Sequence, residues 1–597
     1  MKVSYNWLKW YIPDAPAPEK LADLLTYHLA EVETVEKRED GDYVLDIKIL
    51  PNRGHDLLSH MGMAKEISSL LNLSYVDPAP KYKVPESKPT TLQILIETPA
   101  CKRYMGRIVR NITMGPSPEW MKVHLESIGQ RSINNIVDAT NIVMFDCGEP
   151  THVFDLDKIK GSLTARLAKD GEIVTTLDGK DCTLTSQDFI VADDEKPLII
   201  GGVKGGKAAE VDGTTKDIVL EVGNFDATTV RKTSTRIGIR TEGSKRWENN
   251  ISPELAPYGM VELSALIAEM CPDATFEDVV DIYPVRQGVK RLSFSVGKIS
   301  KILGAEIASQ EIEDILKRYG FEYRNDNGNF EMVVPSLRLD LVTEEDVAEE
   351  IGRVMGYDKL LPKLPQINFV PKPNEIYAKI SWARNKLLDK GYSEVMTYTF
   401  SNKGEVQVLA SASDKKFLRT NLSDGLKESL KLNHDNAPLL GITTVKVFEI
   451  GTVFTRDNEE IHIAYGDKKE IKEMELKEFC KDTELPAPGK FMDSNAVRTA
   501  SPFVMWPLFP FIVRDVAVWV PEGVLSGAVQ KIIKDNAGSL VVRGPELFDQ
   551  FKKDTKTSYA FRVIFQSYER TLTDEEVNGI MNPIYDLLRA QPGFEIR

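Results

Sequence analysis

The runs RDVAVWV (514–520), LVVRGPELFDQF (540–551) and SYAFRVIFQS (558–567) decide the fold of the C-terminal part of this chain. Each reads as a strand. A helix over about 524–536 fits between the first and second, another over about 574–590 follows the third, and FEIR (594–597) closes the sequence. The resulting order, β-α-β-β-α-β, is that of a ferredoxin-like domain spanning 503–597. Its second helix opens on Thr573-Asp-Glu-Glu576, the pattern of a capping box. Pro583 falls inside that helix, where a kink is expected.

Toward the N-terminus, 376–455 begins with the helix AKISWARNKLLDKGY and continues as strands. Residues 288–360 carry helices. In SQEIEDILKRYGF (309–321), Ile312, Ile315, Leu316 and Tyr319 recur at helical spacing and Gly320 ends the run. Residues 91–284 mix strands and turns, with Asp178-Gly179 in TTLDGKDCTLT (175–185) predicting a hairpin. Residues 1–75 read as a small α/β unit: helix over about 19–30, strand at YVLDIKIL (43–50), helix over about 55–71. Four Pro-rich or polar stretches, 76–90, 281–290, 361–375 and 482–502, serve as linkers. The class is α+β and multidomain, with divisions at 1–88, 89–286, 287–363, 370–500 and 503–597.

A chain of 597 residues is too long for one core. Its apolar runs are far shorter than a membrane span, and its start lacks the apolar region of a signal peptide, so a cytoplasmic protein is expected. Five widely spaced cysteines without a C-x-x-C pair fit a reducing compartment and exclude a disulfide framework or a structural zinc. The net charge of −15 excludes bulk electrostatic binding to nucleic acid but leaves a local RNA surface open.

Three stretches carry candidate chemistry, each with a plainer reading beside it. In PSLRLDLVTEEDVAEEIGRVMGYD (335–358), Asp346, Glu349 and Glu350 share one helical neighbourhood and Asp340 precedes the helix. They could hold a hard cation such as Mg²⁺, or form an acidic first turn that complements the helix dipole. GGVKGG (201–206) lets backbone approach a ligand closely but lacks a phosphate-loop ending, so it could equally be a tight turn. Arg131 and His152, at the ends of RSINNIVDATNIVMFDCGEPTHVFD, together with Glu221 and Thr241, could bind a polar substrate and position a water. Otherwise they are scattered polar residues in a large domain.

Taken in register, MKVSYNWLKWYI, ILPNRGHDLLSHMGMAKEI, RSINNIVDATNIVM, PTHVFDLDKIKG, TTLDG, RTEGSKRWE, VPSLRLDLVTEEDVAEEIGRVMGYD, LRTNL, VFEIGTVF and ERTLTDEEVN make the chain resemble, over nearly its whole length, the β subunit of bacterial phenylalanine–tRNA ligases. The resemblance implies an (αβ)₂ heterotetramer that charges tRNA(Phe) using ATP at a site on α. It implies an N-terminal α/β domain, an editing domain at 89–286 and a helical, winged-helix-like domain at 287–363. A class II synthetase-like antiparallel-sheet domain at 370–500, without catalytic motifs, and an anticodon-binding domain at 503–597 complete it. Neither membrane nor DNA binding is implied. Arg131, His152, Gly205, Glu221 and Thr241 match editing positions, where tyrosine mistakenly joined to tRNA(Phe) is hydrolysed, with Glu221 reading the phenol. Asp340, Asp346, Glu349 and Glu350 match positions associated with Mg²⁺. The alternatives are the same subunit with an inactive editing domain, or a free-standing aminoacyl-tRNA esterase.

The chain departs from the family's pattern at Glu149, Lys204, Gly243, Lys245, Trp247 and Asn249, all expected to cluster around the editing pocket. Glu149, beside the His152 motif, is the change expected to matter most. REDGD (38–42) stands where the family carries an OB-fold tRNA-binding module.

Overall fold

The computed structural model describes residues 1–366, 368, 374–411, 413–481, 505 and 507–597. The linker expected at 482–502 lies outside the described residues, as does part of 361–375. Two compact units result, Met1–Leu364 and Pro365–Arg597.

In the first unit, strands Lys2–Ser4, Tyr43–Ile47 and Val32–Lys37 form a three-stranded antiparallel sheet. The last two are joined by the short turn at 38–42, closed where the Arg38 N–H donates to the Asp42 carbonyl at 2.9 Å. The small N-terminal unit has no core of its own. Trp7, Leu21, Leu45 and Ile67 pack in one cluster with Ile136, Val143, Leu220 and Leu263 of the following region.

That region is built from helices Glu119–Ser127, Asn135–Asp146 and Ala256–Met270 on one face of a sheet ordered 275–276, 101–110, 218–225, 151–155. A second sheet covers the other face, ordered 204–205, 197–200, 189–192, 163–167, 94–96. Strand Ile218–Phe225 is therefore buried at all eight residues. Its even positions Ile218, Leu220 and Val222 face the helices, while Val219 and Phe225 face the second sheet. Glu221 falls on the second-sheet side, where the alternation calls for an apolar residue. The hairpin predicted at Asp178-Gly179 forms between Ile173–Thr175 and Asp181–Thr183. The remainder of the unit is a sheet ordered 290–295, 329–334, 323–326, with helices Val296–Leu303, Ser309–Arg318 and Glu344–Met355.

In the second unit, strands 393–394, 447–454, 459–466 and 471–475 form one sheet, its first pair parallel and the others antiparallel. Helix Glu375–Asp389 follows the expectation, but Ser423–Leu440, read as strand territory, is a helix of 18 residues. The C-terminal order is the predicted one: strands Ile512–Pro521, Val541–Lys553, Lys556–Phe565 and Glu595–Ile596 alternate with helices Ser526–Asn536 and Asp574–Arg589. The sheet runs 541–553, 556–565, 512–521, 595–596 with every pair antiparallel. Thr573 and Glu576 close the expected capping box. Pro583 sits on the exposed side of its helix, so the Gly579 carbonyl that loses its donor there can be hydrated.

Candidate functional site

A cavity of about 860 Å³ opens beside the buried strand Ile218–Phe225, and Arg131, His152, Gly205, Glu221 and Thr241 all line it. His152 and Glu221 are direct antiparallel partners, so their side chains leave neighbouring strands on one face. Gly205 lies over the imidazole: a Cβ there would stand 2.8 Å from His152 Cε1, closer than carbon atoms pack. GGVKGG is a tight turn, with Gly202 at φ +73°, linking strands Pro197–Ile200 and Lys204–Gly205. Its plainer reading holds, and the turn forms cavity wall as well.

Two small devices fix the remaining residues. Arg131 belongs to an exposed segment pinned by Asp138, whose carboxylate accepts from Ser117 Oγ and Ser132 Oγ, both at 2.5 Å, and from the Ile133 N–H at 2.9 Å. Asn134 then caps the helix that follows. Thr241 caps helix Glu242–Trp247 in a capping box with Ser244 and donates its hydroxyl proton to the Val203 carbonyl at 2.9 Å. That proton is committed to tying the cap to the Gly-rich turn, the Ser244 N–H takes one lone pair at 3.0 Å, and one lone pair remains for a substrate or water.

Burial pushes the Glu221 carboxyl up to about 8, although the Tyr104 hydroxyl beside it pulls the other way. Glu221 is 3 % exposed, and its Oε1 has no hydrogen-bond partner. Burial also pulls His152 down to about 4, so the imidazole is neutral at physiological pH. The walls join apolar surface, including Phe225 and Trp247 with ring centroids 4.9 Å apart, to polar groups such as Asn141, Asp178, Lys204 and Glu210. A chamber with an apolar part, a buried and uncompensated carboxyl and a neutral imidazole suits a ligand that joins an apolar body to a few polar atoms.

The departures from the family's pattern divide. Lys204, Gly243 and Trp247 line the cavity. A Cβ on Gly243 would come within 3.3 Å of Trp247 Cζ3, so the smaller residue makes room for the larger one. Lys245 and Asn249 face a different groove. Glu149 is not in the wall, contrary to expectation. It is wholly buried, packs against Gly259 and lacks partners for both carboxyl oxygens, and burial raises its carboxyl well above the ordinary range. The turn Gly148–Glu149–Pro150 directs it into the core while His152 faces the cavity.

Asp340, Asp346, Glu349 and Glu350 are not brought together as ligands. Arg338 takes Asp340 through two hydrogen bonds of 2.9 and 2.6 Å, and His55 Nε2 lies 3.0 Å from the same carboxylate. Glu350 pairs with Arg338 at 3.0 Å and Arg353 at 2.5 Å. Asp346 caps its own helix, accepting from the Val342 and Thr343 N–H groups at 2.8 and 2.7 Å, and Glu349 faces solvent. Among the described residues no group of three or more potential ligands converges. In the chain by itself these residues do not fit Mg²⁺: the two buried carboxylates already hold guanidinium cations.

The network extends further than the sequence hinted. Glu66 accepts from Arg353 at 2.6 Å, Arg53 at 2.8 Å and the Tyr319 hydroxyl at 2.6 Å. Against the pull of burial, Arg353 and Arg53 hold Glu66 far below the usual carboxylate range. Tyr104 was likewise missed. Its relation to Glu221, diagonal across paired strands, is a matter of register that no local pattern reports.

Four family models match the chain in sequence order: the B3/4 domain over 100–272, the tRNA synthetase B5 domain over 292–357, the phenylalanyl tRNA synthetase beta chain CLM domain over 361–466, and the ferredoxin-fold anticodon binding domain over 507–597. The phenylalanine–tRNA ligase beta subunit of Carboxydothermus hydrogenoformans is 28% identical, over 98% of this chain and 82% of its own length. That of Thermotoga maritima is 29% identical, over 95% and 82%. A solved N-terminal fragment of the phenylalanyl-tRNA synthetase beta subunit from Pyrococcus horikoshii covers 60% of this chain and 99% of its own. At 17% identity and a TM-score of 0.35 it is too slight a likeness to carry the fold.

Proposed function

The chain belongs to the phenylalanine–tRNA ligase beta subunit family, and on that footing we propose that its large cavity hydrolyses tyrosine mistakenly esterified to tRNA(Phe). The observation that carries this reading is the convergence of Arg131, His152, Gly205, Glu221 and Thr241 on one chamber, with His152 and Glu221 in direct register.

The chemistry follows from the groups present. An apolar synthetic pocket rejects an analogue bearing one extra hydroxyl by only about 10², so a second site that recognises the hydroxyl is needed. The phenol of tyrosine satisfies the orphaned Glu221 Oε1; phenylalanine leaves it unpaired. The neutral His152 imidazole and the remaining Thr241 lone pair hold a water against the ester carbonyl. That water attacks, its proton leaves through the imidazole or solvent, and the terminal ribose hydroxyl departs with a proton. No covalent intermediate on the protein is needed. Arg131, exposed at the rim, meets the nucleic-acid part of the ester.

Charging belongs to an α partner that binds ATP, in an (αβ)₂ assembly in the cytoplasm; this chain supplies scaffold and tRNA contacts. Trp519, Ser558 and Phe551 lie in one row across the outer face of the C-terminal sheet, and Arg562 stacks on Phe548 at 4.8 Å, a surface suited to unstacked bases. Mg²⁺ enters with ATP at the α site, not through Asp340 and Glu350.

The test is deacylation of Tyr-tRNA(Phe) by the α–β complex. We expect release to fall about 100-fold or more in the double variant Glu221→Ala, His152→Ala, with charging by α retained. Equal release from both proteins sinks the editing reading and leaves a structural domain.

A further inference from the structure

Helix Ala227–Ile237 and the residues after it form a positive island in a chain of net charge −15. Between 227 and 245 lie Arg231, Lys232, Arg236, Arg240 and Lys245 against a single acid, Glu242, which pairs with the buried Arg246. Arg236 pairs with Asp188 and Arg240 with Glu248. Arg231, Lys232 and Lys245 have no carboxylate within ion-pairing distance among the described residues.

A groove of about 750 Å³ runs between Arg231 and Lys245 on one side and the segment 49–54 on the other, with Lys232 exposed beside it on the helix, outside its lining. Arg231, Arg240, Lys245 and Thr235 line it, and its one acid, Glu248, is the one Arg240 neutralises. Leu50 is the large apolar side chain exposed there, too little for the dry centre of a protein interface. Helix Glu242–Trp247 separates groove from cavity: Glu242 and Gly243 face the cavity, Lys245 the groove.

We infer that this groove is a binding surface for the sugar–phosphate backbone of RNA. Unpaired cations along a helix and its following loop meet phosphates as point charges, and each contact releases counterions. An RNA strand in the groove lies one short helix from the cavity that would receive its aminoacylated end. Only this last link rests on the editing reading; backbone binding stands on the charge and shape of the groove.

The experiment uses the full chain purified with its α partner, as wild type and as the triple variant Arg231→Ala, Lys232→Ala, Lys245→Ala. The affinity for tRNA(Phe) is measured across salt concentrations, and tyrosine release from Tyr-tRNA(Phe) at one of them. The expected result is a slope of log K against log salt that is shallower by about 2–3, with affinity lost at low salt and unchanged thermal unfolding. The single variant Arg231→Lys keeps the wild-type slope. An unchanged slope in the triple variant overturns the inference. A wild-type complex that shows the slope yet releases no tyrosine sinks the cavity reading alone. One that releases tyrosine while the triple variant keeps the full slope sinks the groove alone.

Discussion

Glu221 and Glu350 are buried carboxylates in the same unit, 3 % and 6 % exposed, and their surroundings treat them oppositely. Around Glu350 the charges are paired: Arg338, Arg353 and Arg53 lie within 4 Å, the last through an Nη1 that makes no hydrogen bond, and the latter two also take Glu66. Around Glu221 there is no cation in contact, one oxygen is orphaned, and the carboxyl stays protonated to about pH 8. A closed network stabilises and specifies a junction; an unfinished one is completed by a ligand. Buried acidity alone therefore does not distinguish a site from a clamp. An orphaned carboxyl oxygen on a residue that lines a cavity does, as at Glu221; Glu149, orphaned at both oxygens, is packed in the core against Gly259.

The largest effect that breaks the comparison is on stability. Glu66→Ala leaves Arg53 and Arg353 buried without their shared carboxylate and should cost about 3–5 kcal/mol in denaturant unfolding. Comparable loss from Glu221→Ala would erase the distinction. An effect of similar size depends on pH. The folded Glu221 carboxyl holds its proton to about 8, whereas in the unfolded chain it titrates at the ordinary 4.5. Its contribution is thus whole below about 4.5 and is lost as pH rises through 8, at about 1.4 kcal/mol per unit. Glu221→Gln should accordingly raise the unfolding free energy at pH 8 and leave it near wild type at pH 4.5. The same gain at both pH values would mean that Glu221 is not the titrating group. Smallest of all is a null heat: Mn²⁺ or Mg²⁺ titrated into the isolated chain should give no saturable binding at Asp340 and Glu350. A stoichiometric isotherm abolished by Asp340→Asn would reopen the metal site.

The C-terminal domain was legible because its strands and helices carry their periods locally and its second helix announces itself with Thr573 and Glu576. Helix Ser423–Leu440 was hidden for the opposite reason. It buries only Leu426, Leu430 and Ala437, a helical spacing carried by three residues in 18, and it carries Asn and Pro438, which lower its propensity. The five cavity residues were named through resemblance; composition and spacing alone left them as scattered polar groups. What no linear reading supplied was register. Register puts His152 opposite Glu221, and the turn after Cys147 buries Glu149 away from the cavity. Arg338 and Arg353 stand in the same stretch as the acids they neutralise, but Arg53 and Glu66 join them from the far end of the unit, which no local pattern reports.

The clamp also has a timetable. Glu66 meets Arg353 across 287 positions of chain. At ribosomal rates of about 5–20 residues per second, the second partner emerges roughly 15–60 s after the first. Until then Arg53 has only Asp56 and Glu66 to hold, and the N-terminal segment, whose apolar face belongs to a core shared with later helices, cannot finish folding alone. Synthesis of this chain therefore passes through a long interval in which its first elements wait for the helix at 344–355, the span during which a chaperone or a ribosome pause has the most to act on.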